Sequence, residues 1–364
     1  MKITGVQIRQ VQVPRQHRTI VGTGVDTPVA GVGDAPTRSR FAFLLLQSDE
    51  GVCGLGEWSD LEAGLEPAAL RGPLESLLLG RNPFDLEAIF TAFPFDRSTR
   101  CAVDSALYDL MGKALGVPVY ELLGGCYRPQ VEVSWVVYIR QPELIGEEIA
   151  RMRDRGFGAF KLKVGSRIDH DETCVRIIRE TAGPGARLKL DASGAWTLAE
   201  AIEYIPRLAQ YGLQAVESPV QGRGAADLAR VRQAVEVPII EHVWDRWDYV
   251  LELVRHQSVD IINLFPEGCG GLFRCKKVLA LTEAAGIGAL LGSTVELGVG
   301  TAAQVHLGVS SPGITLPSDL IGPAMYREDV ITQPFAYEGG ALVPPSGPGL
   351  GVELDLAQLE RLGA

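Results

Sequence analysis

The chain is predicted to be an α/β protein: a parallel barrel of alternating strands and helices, preceded by an α+β unit. Three observations carry this. Between about residues 130 and 320, short apolar runs alternate with helical stretches, one βα unit per step. Seven or eight such runs favour a closed barrel over an open doubly wound sheet. The first 125 or so residues lack that alternation, and 364 residues in total leave room for a second domain beside a barrel of about 250.

Each element follows from its local pattern. Val11–Val13 and Phe41–Leu46 have strand character. Residues 20–38, rich in Gly, Thr, Pro and Asp, form a long loop of the kind that serves as a lid or binding loop. Ala102–Leu115 places its apolar residues at three- and four-residue spacing, which predicts a helix stopped by Gly116 with Pro118 beyond. The expected barrel strands are Val131–Val137, Ala159–Val164, Arg187–Leu190, Gln214–Glu217, Pro238–Glu241, Asp260–Leu264, Gly288–Leu291 and Gly313–Leu316. Leu198–Tyr211, Ala225–Val235 and Leu272–Ala285 are expected helices between them. A Pro/Gly-rich stretch then leads to a short helix at Leu356–Leu362, which fits a return to the first unit. The domain assignment is therefore 1–125, 126–330 and 331–364.

Composition narrows the function. A net charge of −11 argues against a nucleic-acid partner, which requires a basic patch. No apolar run approaches the roughly 18 residues of a membrane span, and the N-terminus alternates like a strand instead of carrying a signal peptide's apolar stretch. The six cysteines include no CxxC pair and read as free thiols. A soluble protein in a reducing, cytoplasmic setting is the expectation.

The informative feature is what ends each strand. Lys161 and Lys163 lie two apart in Phe160-Lys-Leu-Lys-Val164, so their side chains share one face. Asp191 follows Lys163 by 28 residues, Glu217 follows Asp191 by 26, and Glu241 and His242 come 24 and 25 later. One βα unit per step puts them all at the C-terminal mouth of the barrel, where barrel enzymes keep their chemistry. Carboxylates converging from neighbouring strands are hard oxygen ligands that suit Mg²⁺ or Mn²⁺. A metal holding a substrate carboxylate stabilises the charge formed when the α-proton leaves. A lysine beside another cation loses its proton more readily and can act as a base. Lys163 is the expected base. Lys161 is expected to hold the substrate carboxylate and to favour the neutral form of Lys163.

These residues resemble the enolase superfamily, in its muconate lactonizing enzyme and mandelate racemase branches. Residues 102–125 resemble the family's bridge from cap to barrel, Phe160–Val164 its KxK motif, and Asp191-Ala-Ser-Gly-Ala-Trp196 and Glu217-Ser-Pro219 its first two metal-ligand motifs. Gly270-Gly271 and Ser293-Thr-Val-Glu296 with Gly300 match the later strands. The resemblance implies a modified TIM barrel, (β/α)₇β, with an α+β capping domain, bound Mg²⁺, enolate chemistry on a small carboxylate, and a homo-oligomer. It also places Gly56-Glu-Trp-Ser-Asp60 over the mouth, where Trp58 is either a stacking surface for substrate or cap core. Phe265, Glu296 and Trp58 complete the expected substrate shell.

Three departures from that pattern shape the expected reaction. The third metal ligand, an acid in the family, falls on His242 or a shifted Glu241. The second lysine of the muconate lactonizing branch is Phe265, which either packs against substrate or simply lines the mouth. The Asn two residues after the first metal ligand is Ser193. Racemization needs groups on both faces of the enolate, so one-base cycloisomerization or syn β-elimination is expected. Epimerization stays open if Glu267 or Asp245 serves as a second acid. A non-catalytic carboxylate-binding homologue is the reading from a different class.

Overall fold

The computed structural model describes residues 1–16, 38–61, 64–91, 93–243 and 246–363. The loop expected at 20–38 lies outside the described residues apart from its last position, and so does Asp245.

The N-terminal unit is an antiparallel meander, β1 (Ile3–Pro14), β2 (Arg38–Ser48) and β3 (Cys53–Trp58), followed by helices α1 (Arg71–Leu78), α2 (Leu86–Phe90), α3 (Arg97–Leu115) and α4 (Val119–Leu122). The strands run well beyond the predicted cores because β1 and β2 pair along nearly their whole length. Helix α3 begins five residues before its apolar periodicity, where the Asp96 side chain accepts from Thr99 N, and Gly116 ends it at φ 70°. The helix lies directly on β3. A Cβ at Gly54 would overlap the Ala106 carbonyl, and one at Gly56 the Ala102 carbonyl. Glycine there lets backbone touch backbone. Ile3, Leu44, Trp58, Ala102 and Leu107 share the core of this unit.

The second unit begins with the split strand β4 (Val131–Glu132) and β5 (Trp135–Val137). Then come α5 (Pro142–Asp154), β6 (Ala159–Lys163), α6 (Ile168–Ala182), β7 (Arg187–Asp191), α7 (Leu198–Ala209), β8 (Ala215–Glu217) and α8 (Ala225–Ala234). β9 (Ile239–His242), α9 (Trp247–His256), β10 (Ile261–Leu264), α10 (Pro266–Cys269), α11 (Leu272–Ala284), β11 (Gly288–Leu291) and α12 (Gly298–Val309) complete the alternation. Strands β5 to β11 form one parallel sheet of seven in sequence order. The expected last strand at 313–316 is not a regular ladder. Single parallel bridges, Ala289 to Ile314 and Val133 to Ser318, tie this Pro- and Gly-containing segment to both edges of the sheet. Those two bridges close the ring.

After α13 (Gly322–Met325), strand β12 (Ala341–Leu342) pairs with β4, and helix α14 (Leu356–Leu362) rests against β1. Ala215, Ile240, Ile261 and Leu290, one from each of the neighbouring strands β8 to β11, form a separate apolar layer inside the barrel. The larger cluster between strands and helices holds residues such as Leu162, Leu190, Val216 and Ile239. No helix among the described residues is long and apolar enough to cross a membrane.

Candidate active site

The inner apolar layer sets which way the mouth residues point. Ala215, Ile240 and Ile261 face the barrel axis, so by the strand period Glu217, His242 and Asn263 face it too, one step nearer the mouth. Glu241 then points outward, toward the helices. There it is buried against Arg223, whose Nε lies 2.5 Å from Oε1, and the Ser218 hydroxyl donates at 3.1 Å. Burial raises the Glu241 carboxyl, opposed by Arg223 and His242.

Asp191, Glu217 and His242 do converge. Their ligand atoms lie within 4.8 Å of one another, and His242 Nε2 is 2.5 Å from Glu217 Oε1. Of the two residues expected as the third ligand, the structure thus brings His242 into the group and leaves Glu241 outside it. Two carboxylates and an imidazole are a donor set that fits a divalent cation. Burial and the adjacent Glu217 push Asp191 up, yet Lys161, Lys163 and His242 outweigh both and bring it down to about 2. Burial would also raise Glu217, but Lys161 and His242 hold it well below the usual carboxylate range. Both acids are therefore ionised, as metal ligands must be. Ser193, in the left-handed region at φ 50°, steadies Asp191 by donating its N–H and hydroxyl to Oδ1 at 2.9 and 3.1 Å.

The lysines stand beside this group. β6 and β7 pair in register, Lys161 beside Lys189 and Lys163 beside Asp191. Lys163 Nζ lies 2.5 Å from Asp191 Oδ2. Lys161 Nζ touches three carboxylates: Asp319 at 2.8 Å, Glu217 at 2.9 Å and Asp191 at 3.0 Å. Burial pulls the Lys161 ammonium down, but these three anions hold it well above the ordinary lysine value. It stays a cation at the floor of the site. Asp319 also takes a hydrogen bond of 2.8 Å from Lys189, which is fully buried. Asp319 was not foreseen from the sequence. Asn263, whose amide donates to Glu217 Oε1 at 2.8 Å, was missed as well.

A cavity of about 200 Å³ opens over these groups, lined by Lys161, Lys163, His242, Asn263 and Asp319 from the barrel. Tyr138, Ser293 and Thr294 form more of its wall. Arg15 and Asp60 of the N-terminal unit, bonded to each other at 2.6 Å, line it too. The larger hollow of about 830 Å³ along residues 332–353 contains none of this chemistry.

Three members of the expected substrate shell sit elsewhere. Trp58 is fully buried in the core of the N-terminal unit, its indole N–H on Thr99, because its place on β3 faces α3 and not the mouth. Glu296 turns beneath the mouth, held by Ser293 and Thr294, and borders a small cavity shared with Glu57 and Glu267. Phe265 is 1% exposed and does not line the 200 Å³ cavity. Glu267, considered as a second acid, is buried on Ser98, and burial pushes its carboxyl up to about 7. Glu57 accepts from Leu297 N and Gly300 N at 2.8 and 2.7 Å, so an acid from the N-terminal unit caps the start of α12.

Comparison with known proteins agrees with this architecture. Residues 145–358 match the enolase C-terminal domain-like family, and residues 17–124 match the mandelate racemase/muconate lactonizing enzyme N-terminal domain. The chain belongs to the enolase superfamily. Among its superfamily relatives, muconate cycloisomerase 1 of Rhodococcus opacus is 32% identical over 323 residues, covering 84% of this chain and 86% of that one. The N-succinyl Arg/Lys racemase of Bacillus cereus superposes with a TM-score of 0.90 at 26% identity, over 100% of this chain and 98% of that one. The dipeptide epimerase of Enterococcus faecalis, in complex with Mg and the dipeptide L-Leu-L-Tyr, gives 0.86 at 29% identity, over 97% and 100%. The seven-stranded parallel sheet and its N-terminal capping domain are those of the superfamily, whose members here are isomerases: cycloisomerases, racemases and epimerases.

Proposed function

We propose that this enzyme abstracts the α-proton of a small carboxylate with Lys163 as the base, in a one-base reaction of the cycloisomerase or β-eliminating type. The observation that carries the reading is the placement of Lys163. It lines the cavity directly beside the Asp191–Glu217–His242 group. Among the described residues, the only lysines and histidine lining this cavity are Lys161, Lys163 and His242, the last of which belongs to the candidate metal group.

In this reading Lys161 is a fixed cation that faces the substrate carboxylate, and Asp319 and Asn263 hold Lys161 and Glu217 in place. Asp191, Glu217 and His242 would hold a divalent cation, Mg²⁺ or Mn²⁺. When bound, it supplies electrostatic stabilisation of the negative charge that builds on the substrate carboxylate as the proton leaves. Lys163 takes that proton. In a β-elimination it returns the proton to the leaving group on the same face. The cap, through Arg15 and Asp60, excludes water and sets which acid fits.

A second reading is racemization or epimerization, favoured by relatives such as the N-succinyl-L-Arg/Lys racemase of Bacillus cereus, 27% identical over 374 residues. It requires a proton carrier on the face of the substrate opposite Lys163.

The test is proton exchange in D₂O. Pooled small carboxylic acids are incubated with Mg²⁺ or Mn²⁺ and wild-type or Lys163→Ala protein. Exchange at the α-carbon with retained configuration, reduced by roughly 10²–10⁴-fold in the variant, is the expected result. Exchange with inversion supports the second reading. No exchange or conversion with any acid sinks enolate chemistry and leaves a carboxylate-binding homologue.

A further inference from the structure

The two departures at His242 and Phe265 meet in space. Their ring centroids are 6.1 Å apart and the planes nearly perpendicular, at 87°. Phe265 is held from behind by glycines. A Cβ on Gly268 would stand 2.7 Å from its Cζ, and one on Gly292 would stand 2.8 Å from its Cδ1. The aromatic ring thus fills space that only glycine at both positions leaves open. On its other side the imidazole reaches Glu217 Oε1, the same oxygen that Asn263 engages. His242 Nδ1 is buried with no hydrogen-bond partner among the described residues. Histidine ligands are usually oriented by a hydrogen bond to their second nitrogen. Here ring packing takes that part.

We propose that His242 supplies an imidazole nitrogen as third metal ligand, that Phe265 is its positioning residue, and that the pair makes the centre prefer first-row transition dications over Mg²⁺. The inference rests on the metal-dependent reading above. The physical ground is ligand chemistry. Mg²⁺ is hard and binds oxygen, whereas imidazole suits Co²⁺, Zn²⁺ and their neighbours. Replacing an acid by a neutral ring also removes one negative charge from the donor set. A flexible lysine at position 265 would not present a rigid apolar face to the imidazole.

The experiment uses the full chain stripped of metal. Mg²⁺ and Co²⁺ are titrated separately by calorimetry, and the Mn²⁺ complex is examined by pulsed EPR for ¹⁴N coupling. Wild type is expected to show a nitrogen signal and tighter Co²⁺ than Mg²⁺ binding. His242→Asp is expected to lose the signal and to lower the Co²⁺/Mg²⁺ affinity ratio by at least about tenfold. Phe265→Ala is expected to weaken Co²⁺ by about tenfold and broaden the nitrogen coupling, with less effect on Mg²⁺. Phe265→Leu keeps the apolar bulk and should fall between. A nitrogen signal missing from wild type, or an affinity ratio unchanged in His242→Asp, overturns the proposal. If that happens while α-proton exchange persists, the enolate reading survives it. If none of the three ions binds, both fall.

Discussion

His306 makes the stability of this protein depend on pH in a way that can be calculated. It lies on α12, fully buried, with Nε2 3.1 Å from the Leu350 carbonyl and its ring 5.5 Å from that of Tyr120. Burial lowers its pKa to about 4 from the ordinary 6.5, and the Leu350 carbonyl only partly opposes this. Above pH 6.5 the ring is neutral in both folded and unfolded chains, so its contribution is complete. Between 6.5 and about 4 the unfolded chain takes up a proton that the folded chain refuses, so stability falls as pH falls. That gap, at about 1.36 kcal/mol per pH unit, amounts to about 3 kcal/mol. It is a large share of the roughly 5–15 kcal/mol typical of a folded domain. Urea unfolding of metal-free wild type and His306→Gln, at about pH 7, 5.5 and 4.5, isolates the effect. Glutamine keeps a donor for Leu350 but does not titrate. Buried acids act with the opposite sign: burial raises Glu57 to about 8 and Asp104 to about 7, so their contribution is lost as pH rises. They are common to both proteins and cancel in the difference. The wild type should lose about 2 kcal/mol more than the variant between pH 7 and 4.5. A difference that stays flat to within about 0.5 kcal/mol would falsify the claim that folded His306 resists protonation.

Asp319 is the shared counter-ion of two buried ammonium groups, Lys161 and Lys189, each 2.8 Å away. Asp319→Asn should cost about 3–5 kcal/mol in chemical denaturation, and adding Lys189→Met should recover much of it; a loss below about 1 kcal/mol would show that the lysines find other partners. Gly56→Ala forces a methyl group into the Ala102 carbonyl of α3, so a loss of about 1–3 kcal/mol is expected in the same assay. A Gly56→Ala variant as stable as wild type would mean that α3 and β3 separate at little cost.

Much of the centre was legible because barrels repeat. Lys163, Asp191 and Glu217 end successive strands at intervals of 28 and 26 residues, Lys161 lies two residues before Lys163 on the same strand, and the observed register sets Lys163 beside Asp191 and Asp191 beside Glu217. Asp319 follows the expected strand Gly313–Leu316 after Pro317, so no strand end in the sequence pointed to it. Its strand-like role comes from two single bridges across the closing ring. Arg15 of the cavity wall was not foreseen either. It reaches the mouth from the end of a cap strand some 145 residues before Lys161, and no local pattern encodes that contact. Trp58 and Glu296 show the converse. Both lie in motifs read as mouth-forming, yet packing against α3 buries one and hydrogen bonds from Ser293 and Thr294 turn the other under the rim.

The sequence by itself determined the α/β alternation, the strands that carry the charged residues and the likeness to the enolase superfamily, because each depends on local periodicity and short motifs. The tertiary structure decided which neighbouring side chain faces Asp191 and Glu217. Glu241 and His242 are adjacent in sequence and equally polar. Only the inward layer of Ala215, Ile240, Ile261 and Leu290 sets the strand phase that sends His242 toward Glu217 and Glu241 toward Arg223. A period of two makes neighbours point to opposite faces, but which face is the interior depends on every strand around the ring.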